Sequence, residues 1–367
     1  MTTTTAAIIR ENGADFEFDE VTLAPLGFGE VLVRNIATGV CHSDIVVQHG
    51  MVFSPRILGH EGAGVIEEVG PGVTHLAPGD KVIMGFNSCG VCGNCLSGKP
   101  FACENFLPLN MFCQRLDGAV TIHDSHGGEV AGNFFGQSSF ARHSVANIRN
   151  VVKLPADTPD AVHKILGPFG CGFSTGAGTV INALKVRPAT SIVVFGAGGV
   201  GLAGALAALA SGATTVIVVD INDDRLALAT KLGATHTFNG MDADLVEKIH
   251  AATGGGADYA MDTTGNVKVV RTSHEVLRVG GTTAMVGLSA PGTAVELEHM
   301  GILDGRNIIG VVEGHAVPQV FIPQLLALHK AGKFAFEDMV VEYPFEKLNE
   351  AIADSISGKS IKPILVF

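Results

Sequence analysis

Four cysteines, Cys89, Cys92, Cys95 and Cys103, stand close together in a glycine-rich stretch. Thiolates at this spacing can wrap one tetrahedral ion from a single segment, and four of them leave no coordination position open, so the chemistry they predict is a structural zinc site. Redox-active thiols would more naturally form one isolated pair. A zinc ribbon for nucleic acid is disfavoured by the charge balance, 36 acidic against 24 Lys and Arg residues for a net −12.

A second set is dispersed: Cys41-His42-Ser43-Asp44, then Gly59-His60-Glu61, then Cys171. Taken singly, each has a bland reading, since a lone cysteine is usually a small core residue and a lone histidine a satisfied buried side chain. Taken together they suggest Cys41, His60 and Cys171 around one catalytic zinc with the fourth position open to substrate. Two zinc ions per chain are therefore expected, one catalytic and one structural.

The third constellation is Gly196-Ala-Gly198-Gly199-Val200-Gly201, which follows the apolar run Ser191–Phe195 and opens a helix predicted over Val200–Ala210. Gly196 permits a tight turn, Gly198 lets the backbone approach a pyrophosphate, Gly201 lets helix and strand pack closely, and the helix N-terminus presents unpaired N–H groups to phosphate. Beyond it a second strand ends at Asp220, where a carboxylate would accept hydrogen bonds from a ribose diol and repel a 2′-phosphate. NAD rather than NADP is the expected coenzyme, with Arg225 near enough to soften the preference.

Elements of two kinds must position these groups. Up to Val152 the chain reads as short strands split by Gly/Pro turns, as in Glu30–Arg34, Gly64–Val69 and Asp80–Ile83. From about Gly172, apolar strands (Ser191–Phe195, Thr215–Val219, Tyr259–Met261, Thr283–Val286) alternate with Ala/Leu-rich helical stretches, the pattern of a parallel sheet covered by helices. After Val312 a helix over Val317–Ala331 and strands at Met339–Tyr343 and Lys362–Phe367 read as a return to the first domain. The length of 367 residues suits two domains, and 47% hydrophobic against 16% charged residues exclude predominant disorder. Apolar runs are interrupted by glycines before membrane-spanning length, and Met1–Arg10 has no leader pattern, so a cytoplasmic enzyme without membrane or nucleic-acid partners is expected.

These motifs resemble, in their order and separation, the medium-chain zinc-dependent alcohol dehydrogenases. The resemblance runs through Cys41–Asp44, Gly59-His-Glu-Gly-Ala-Gly64 to Gly70, the four-cysteine lobe at about 86–105, Gly170-Cys171-Gly-Phe-Ser-Thr175 and Gly196–Gly201, to the closing Ser357–Phe367. It implies an α/β plus β fold: a GroES-like catalytic domain from 1–172 and 313–367, and a Rossmann doubly wound parallel-sheet coenzyme domain over 173–312. It also implies Ser43 as the hydroxyl that takes the substrate proton, and Asp44 and Glu61 as groups behind the ligands. His42 and Lys362 fall at pyrophosphate positions, Asp220 and Arg225 around the adenosine ribose, Val200 behind the nicotinamide, and Thr175 among the coenzyme contacts. One departure stands out. The histidine that ends the proton relay in many members is replaced by Val46, so the relay ends in solvent, at His42 or at His49.

The family layout puts Phe53, Phe86, Phe106, Phe134 and Phe135 on or beside the substrate cleft, although phenylalanines there can equally be core. The stretch Glu313-Gly-His-Ala-Val-Pro to Leu325 is similar to the aryl-alcohol (benzyl alcohol) dehydrogenase branch. Reversible hydride transfer between NAD and a primary aromatic or allylic alcohol, giving the aldehyde, is therefore expected. The alternatives are a broad-specificity or aliphatic alcohol dehydrogenase, a thiol-adduct formaldehyde dehydrogenase, which Leu107-Pro108-Leu109 disfavours for lack of a cation, and a non-catalytic NAD- or zinc-binding protein. The family implies a homodimer or homotetramer, and Cys113 receives no role.

Overall fold

The computed structural model describes residues 2–50, 55–113, 115 and 117–367. Phe53 lies outside them. The chain folds as two compact units, the first Met1–Cys171, Val317–Pro323 and Glu337–Phe367, the second Gly172–Ala316 and Gln324–Phe336. The second unit thus includes Gln324–Phe336, which the sequence reading assigned to the returning tail.

The first unit is built on two sheets. In the larger, the strand Glu30–Gly39 pairs antiparallel with Glu61–Val69, with His143–Asn147 and with the closing strand Lys362–Val366, which itself runs parallel to Val340–Pro344. Strand alternation and turns bring this about locally, but the register decides the chemistry. Gly39 stands opposite Glu61 on one side and Ile364 on the other, so three strands set Glu61 near Lys362. Gly39 has no side chain because a Cβ there would strike the Glu61 carboxylate. The core of this unit includes Ile8, Ile57, Leu58, Phe86, Phe134, Phe135 and Phe140.

The reading of this region as strands and turns omitted a helix, His42–Gly50, that carries Ser43 and Asp44. Its start has the chemistry of a capping box. Asp44, three residues after Cys41, reaches back so that its Oδ2 accepts the Cys41 backbone N–H at 2.9 Å.

The second unit holds a six-stranded parallel sheet in the spatial order His236–Asn239, Thr215–Asp220, Ser191–Phe195, Ala257–Asp262, Leu277–Met285, Asn307–Gly310. Numbered along the chain this is 3-2-1-4-5-6, the doubly wound order, whose direction reverses between Ser191–Phe195 and Ala257–Asp262. Ser191–Phe195 is buried throughout, as a central strand covered on both faces must be. The helix Gly199–Ala210 follows it, and its small residues set the packing distance. A Cβ at Gly201 would strike the Gly196 carbonyl, and one at Gly204 would press on the Met261 sulfur. Among the described residues no helix is long and apolar enough to cross a membrane.

Candidate active site and metal centres

Two groups of side chains converge with metal-ligand geometry, Cys41, His60, Glu61 and Cys171 in one and Cys89, Cys92, Cys95 and Cys103 in the other, with ligand atoms in each lying within 4.8 Å of one another. All four members of the first group are buried. Asp44 organises it. One carboxylate oxygen accepts the Gly59 N–H at 3.0 Å and bonds His60 Nδ1 at 2.9 Å, while the other accepts the Cys41 N–H. An ionised carboxylate only accepts, so Nδ1 carries a proton, and it is in the neutral imidazole that Nε2 offers the lone pair. His60 Nε2 is buried and has no hydrogen-bond partner among the described residues. A buried imidazole nitrogen without a partner, beside two cysteines, is the donor set that zinc takes.

Phe135 stacks on the imidazole at 4.4 Å between ring centroids, and Phe134 meets it edge-on at 5.2 Å. Gln137 was not singled out in the sequence. Its amide nitrogen donates to the His60 and Gly85 carbonyls, and its oxygen accepts the Gly62 N–H. Nothing local in the sequence marks it, because its partners come from distant strands.

Behind the ligands, Lys362 Nζ donates to both Glu61 oxygens at 3.0 and 2.9 Å and to the Val40 carbonyl at 3.2 Å. Charges shape this pocket. Cys41 is held well below the ordinary thiol range, first by a hydrogen bond with Cys171 and then, against burial, by Lys362 and His60. Burial opposes a charged His60, yet Asp44 and Cys41 together raise it well above its usual value. Burial pushes the Glu61 carboxyl up while Lys362 pulls it back, and Lys362 is raised by Glu61 and Cys41 despite its own burial.

The second group is local. A short helix, Gly93–Leu96, begins after Cys92, and backbone N–H groups point at sulfur, Cys89 N to Cys103 Sγ at 3.3 Å and Cys92 N to Cys89 Sγ at 3.4 Å. Burial opposes a Cys89 thiolate, but the Val91 and Cys92 N–H groups prevail and bring it down to about 6, while burial pushes Cys103 up to about 12. Val91 and Leu96 leave the lobe largely in water, at 77% and 74% exposure.

Other expected residues are placed as follows. Ser43 is half-buried on its helix, with His42, Val46 and His49 exposed. Lys362, expected at the pyrophosphate, is buried in the first unit, where its ammonium donates to Glu61 and Val40. Phe86, Phe134 and Phe135, expected at the substrate, belong to the core, and Phe134 has no exposed surface; the rings of Phe134 and Phe135 pack the imidazole, while Phe86 meets Phe106. Phe106 is partly buried against the same core. In the second unit Gly196 takes φ +96°, Gly198 faces open space and caps the helix that Gly199 and Val200 begin. Asp220 Oδ2 accepts the Ala197 N–H at 2.6 Å, tying the second strand's carboxylate to the glycine turn. Arg225 lies in the first turn of the helix Asp223–Lys231, and Thr175 in the helix Gly172–Gly178.

Residues 27–156 match the family model of the alcohol dehydrogenase GroES-like domain, and residues 199–330 that of the zinc-binding dehydrogenase. Geraniol dehydrogenase of Castellaniella defragrans is 44% identical over 366 residues, 99% of this chain and 97% of that one. The chain belongs to the zinc-dependent alcohol dehydrogenase family. The crystal structure of an alcohol dehydrogenase zinc-binding domain protein from Burkholderia ambifaria is similar to it with a TM-score of 0.97 at 44% identity, covering 100% of this chain and 99% of that one. That of benzyl alcohol dehydrogenase from Acinetobacter calcoaceticus gives 0.96 at 40% identity, covering all of both chains. As a zinc alcohol dehydrogenase the protein is an oxidoreductase of the medium-chain type, with a GroES-like and a Rossmann-like domain, that uses zinc and a nicotinamide dinucleotide. Cys41, His60 and Cys171 fit a catalytic zinc, and the four-cysteine lobe fits a structural one.

Proposed function

We propose that the protein oxidises primary aromatic or allylic alcohols to aldehydes with NAD, reversibly. The observation that carries the reading is the unpartnered, buried Nε2 of His60 set between Cys41 and Cys171. In this reading Cys41, His60 and Cys171 would hold the catalytic ion, Asp44 fixes the imidazole tautomer, and Lys362 bonds both Glu61 oxygens. Zinc, when bound, supplies the positive charge that makes an alcohol hydroxyl acidic near neutral pH. Ser43 Oγ would take the proton, and the glycine turn, with Thr175 and Val200 toward the nicotinamide end, would hold the dinucleotide that supplies the hydride acceptor. Asp220 and Arg225 would hold the adenosine ribose, and the family resemblance assigns His42 to the pyrophosphate.

The names of the similar proteins, geraniol dehydrogenase and benzyl alcohol dehydrogenase, support the substrate class, since both are named for primary alcohols with the carbinol next to an unsaturated carbon. Following NADH absorbance over benzylic, allylic, short aliphatic and secondary alcohols tests it. The reading expects kcat/KM for benzyl alcohol and geraniol at least about tenfold above that for ethanol, a difference of about 1.4 kcal/mol. Equal values would leave a broad-specificity enzyme. Asp220→Ser is expected to raise relative activity with NADP, and an unchanged NAD to NADP ratio would remove the ribose role of this carboxylate.

A further inference from the structure

In the second unit three consecutive residues take left-handed backbone conformations, Glu313 at φ +49°, Gly314 at +61° and His315 at +49°. Glycine adopts this region freely, whereas each residue with a side chain is strained there by about 1 kcal/mol. Packing accounts for the glycine. A Cβ on Gly314 would strike the Ser174 carbonyl, and a Cβ on Gly178 would strike the Gly314 carbonyl, so this segment is pressed against the helix Gly172–Gly178. The strain has a visible product, a carboxylate turned inward. Glu313 is 8% exposed, and its Oε2 accepts a hydrogen bond from Thr175 Oγ1 at 3.5 Å. One residue further along, Gly176 abuts the backbone carbonyl of Val200, in the first turn of the helix that follows the glycine turn. Glu313, Thr175 and Val200 therefore belong to one packed cluster.

We propose that Glu313 is a coenzyme-discriminating residue that favours the oxidised over the reduced nicotinamide. The proposal rests on the reading above of Thr175 and Val200 as the nicotinamide end of the site. The oxidised ring carries a positive charge and the reduced ring none, so a carboxylate sheltered from water attracts only the first. Hydride transfer conserves the account: the alcohol gives hydride to the ring, which loses its charge, and releases one proton elsewhere, while Glu313 takes up neither. Such a site loads oxidised coenzyme and sheds reduced coenzyme, which suits working in the direction of alcohol oxidation.

The test measures dissociation constants of the zinc-loaded protein for NADH by its own fluorescence, and for NAD and ADP-ribose by competition. Glu313→Gln keeps the size of the side chain and an acceptor for Thr175. It is expected to raise the NAD constant relative to the NADH constant roughly tenfold, leaving ADP-ribose, which has no nicotinamide, unchanged. Glu313→Asp, which keeps the charge, is expected to stay within about threefold of the parent ratio. The proposal is overturned if NAD and NADH move by the same factor or not at all in Glu313→Gln while ADP-ribose still binds, or if Glu313→Asp shifts the ratio as far as Gln does. Failure of ADP-ribose to bind the parent protein would instead bring down the nucleotide-site reading, and this proposal with it.

Discussion

The two thiol clusters use the same donor chemistry and are built in opposite ways. The four-cysteine lobe draws its donors from one short segment, half-exposed, with backbone N–H groups as their neighbours. The cluster of Cys41, His60 and Cys171 draws on three distant segments, is sealed from water, and is backed by an aspartate, a glutamate and a lysine. A closed set of four identical donors needs only a loop to hold it. Three donors that must leave one position open need a rigid surround, because a fourth group standing nearby would otherwise close the site. Glu61 is that group, and Lys362 occupies both of its oxygens.

The contrast is sharpest when one donor is removed from each cluster. His60→Ala is expected to lower turnover at least about a thousandfold and to leave one zinc per chain, measured by NADH assay and metal analysis. Cys95→Ala is expected to do the reverse in kind, also leaving one zinc but lowering the melting temperature by roughly 10 °C, because structural zinc contributes folding free energy directly. If both variants lost activity and stability in the same proportion, the division of labour would be gone.

Next in size is the buried pair. Lys362→Met removes the cation bonded to both Glu61 oxygens and is expected to destabilise the fold by about 3–5 kcal/mol in urea unfolding, with Glu61→Gln added to Lys362→Met restoring most of it. Recovery absent from the double variant would mean that the lysine acts by packing alone. Asp44→Asn keeps the shape but weakens its hold on the imidazole, so zinc affinity at the catalytic cluster should fall about 10–100-fold in competition with a chelator while the lobe retains its ion.

The smallest effect uses Cys113, the cysteine in neither cluster. Burial pushes its thiol up to about 12 from 9.0, so the folded chain keeps it neutral after the unfolded chain has begun to ionise. The stability this provides is complete below pH 9 and is lost as pH rises from 9 toward 12, by about 1.4 kcal/mol per unit. Cys113→Ala should flatten the unfolding free energy across that window by this slope relative to the parent, and identical slopes would show that the thiol does not contribute.

How much of this the sequence disclosed depended on distance along the chain. The lobe was legible from spacing alone, since its donors are neighbours. The doubly wound sheet was legible from apolar strands alternating with helical stretches, and Gly196–Gly201 with Asp220 from a spacing that local geometry imposes. The three other ligands were legible only as a set and through resemblance. The helix His42–Gly50 was missed because its nine residues lie amid strands and carry only weak amphipathic patterning. The Lys362 to Glu61 pair spans 301 residues, so no periodicity announces it. Phe134 and Phe135 show the limit of composition, which cannot tell the wall of a substrate site from the bed of an imidazole.

The closing strand Lys362–Val366 lies inside a sheet, between Glu30–Gly39 and Val340–Pro344, and it delivers the cation behind the ligands. Lys362 follows every proposed metal donor along the chain, so translation delivers it after all of them. A nascent chain released before Lys362 would therefore carry all of those donors without the cation that binds Glu61 behind them.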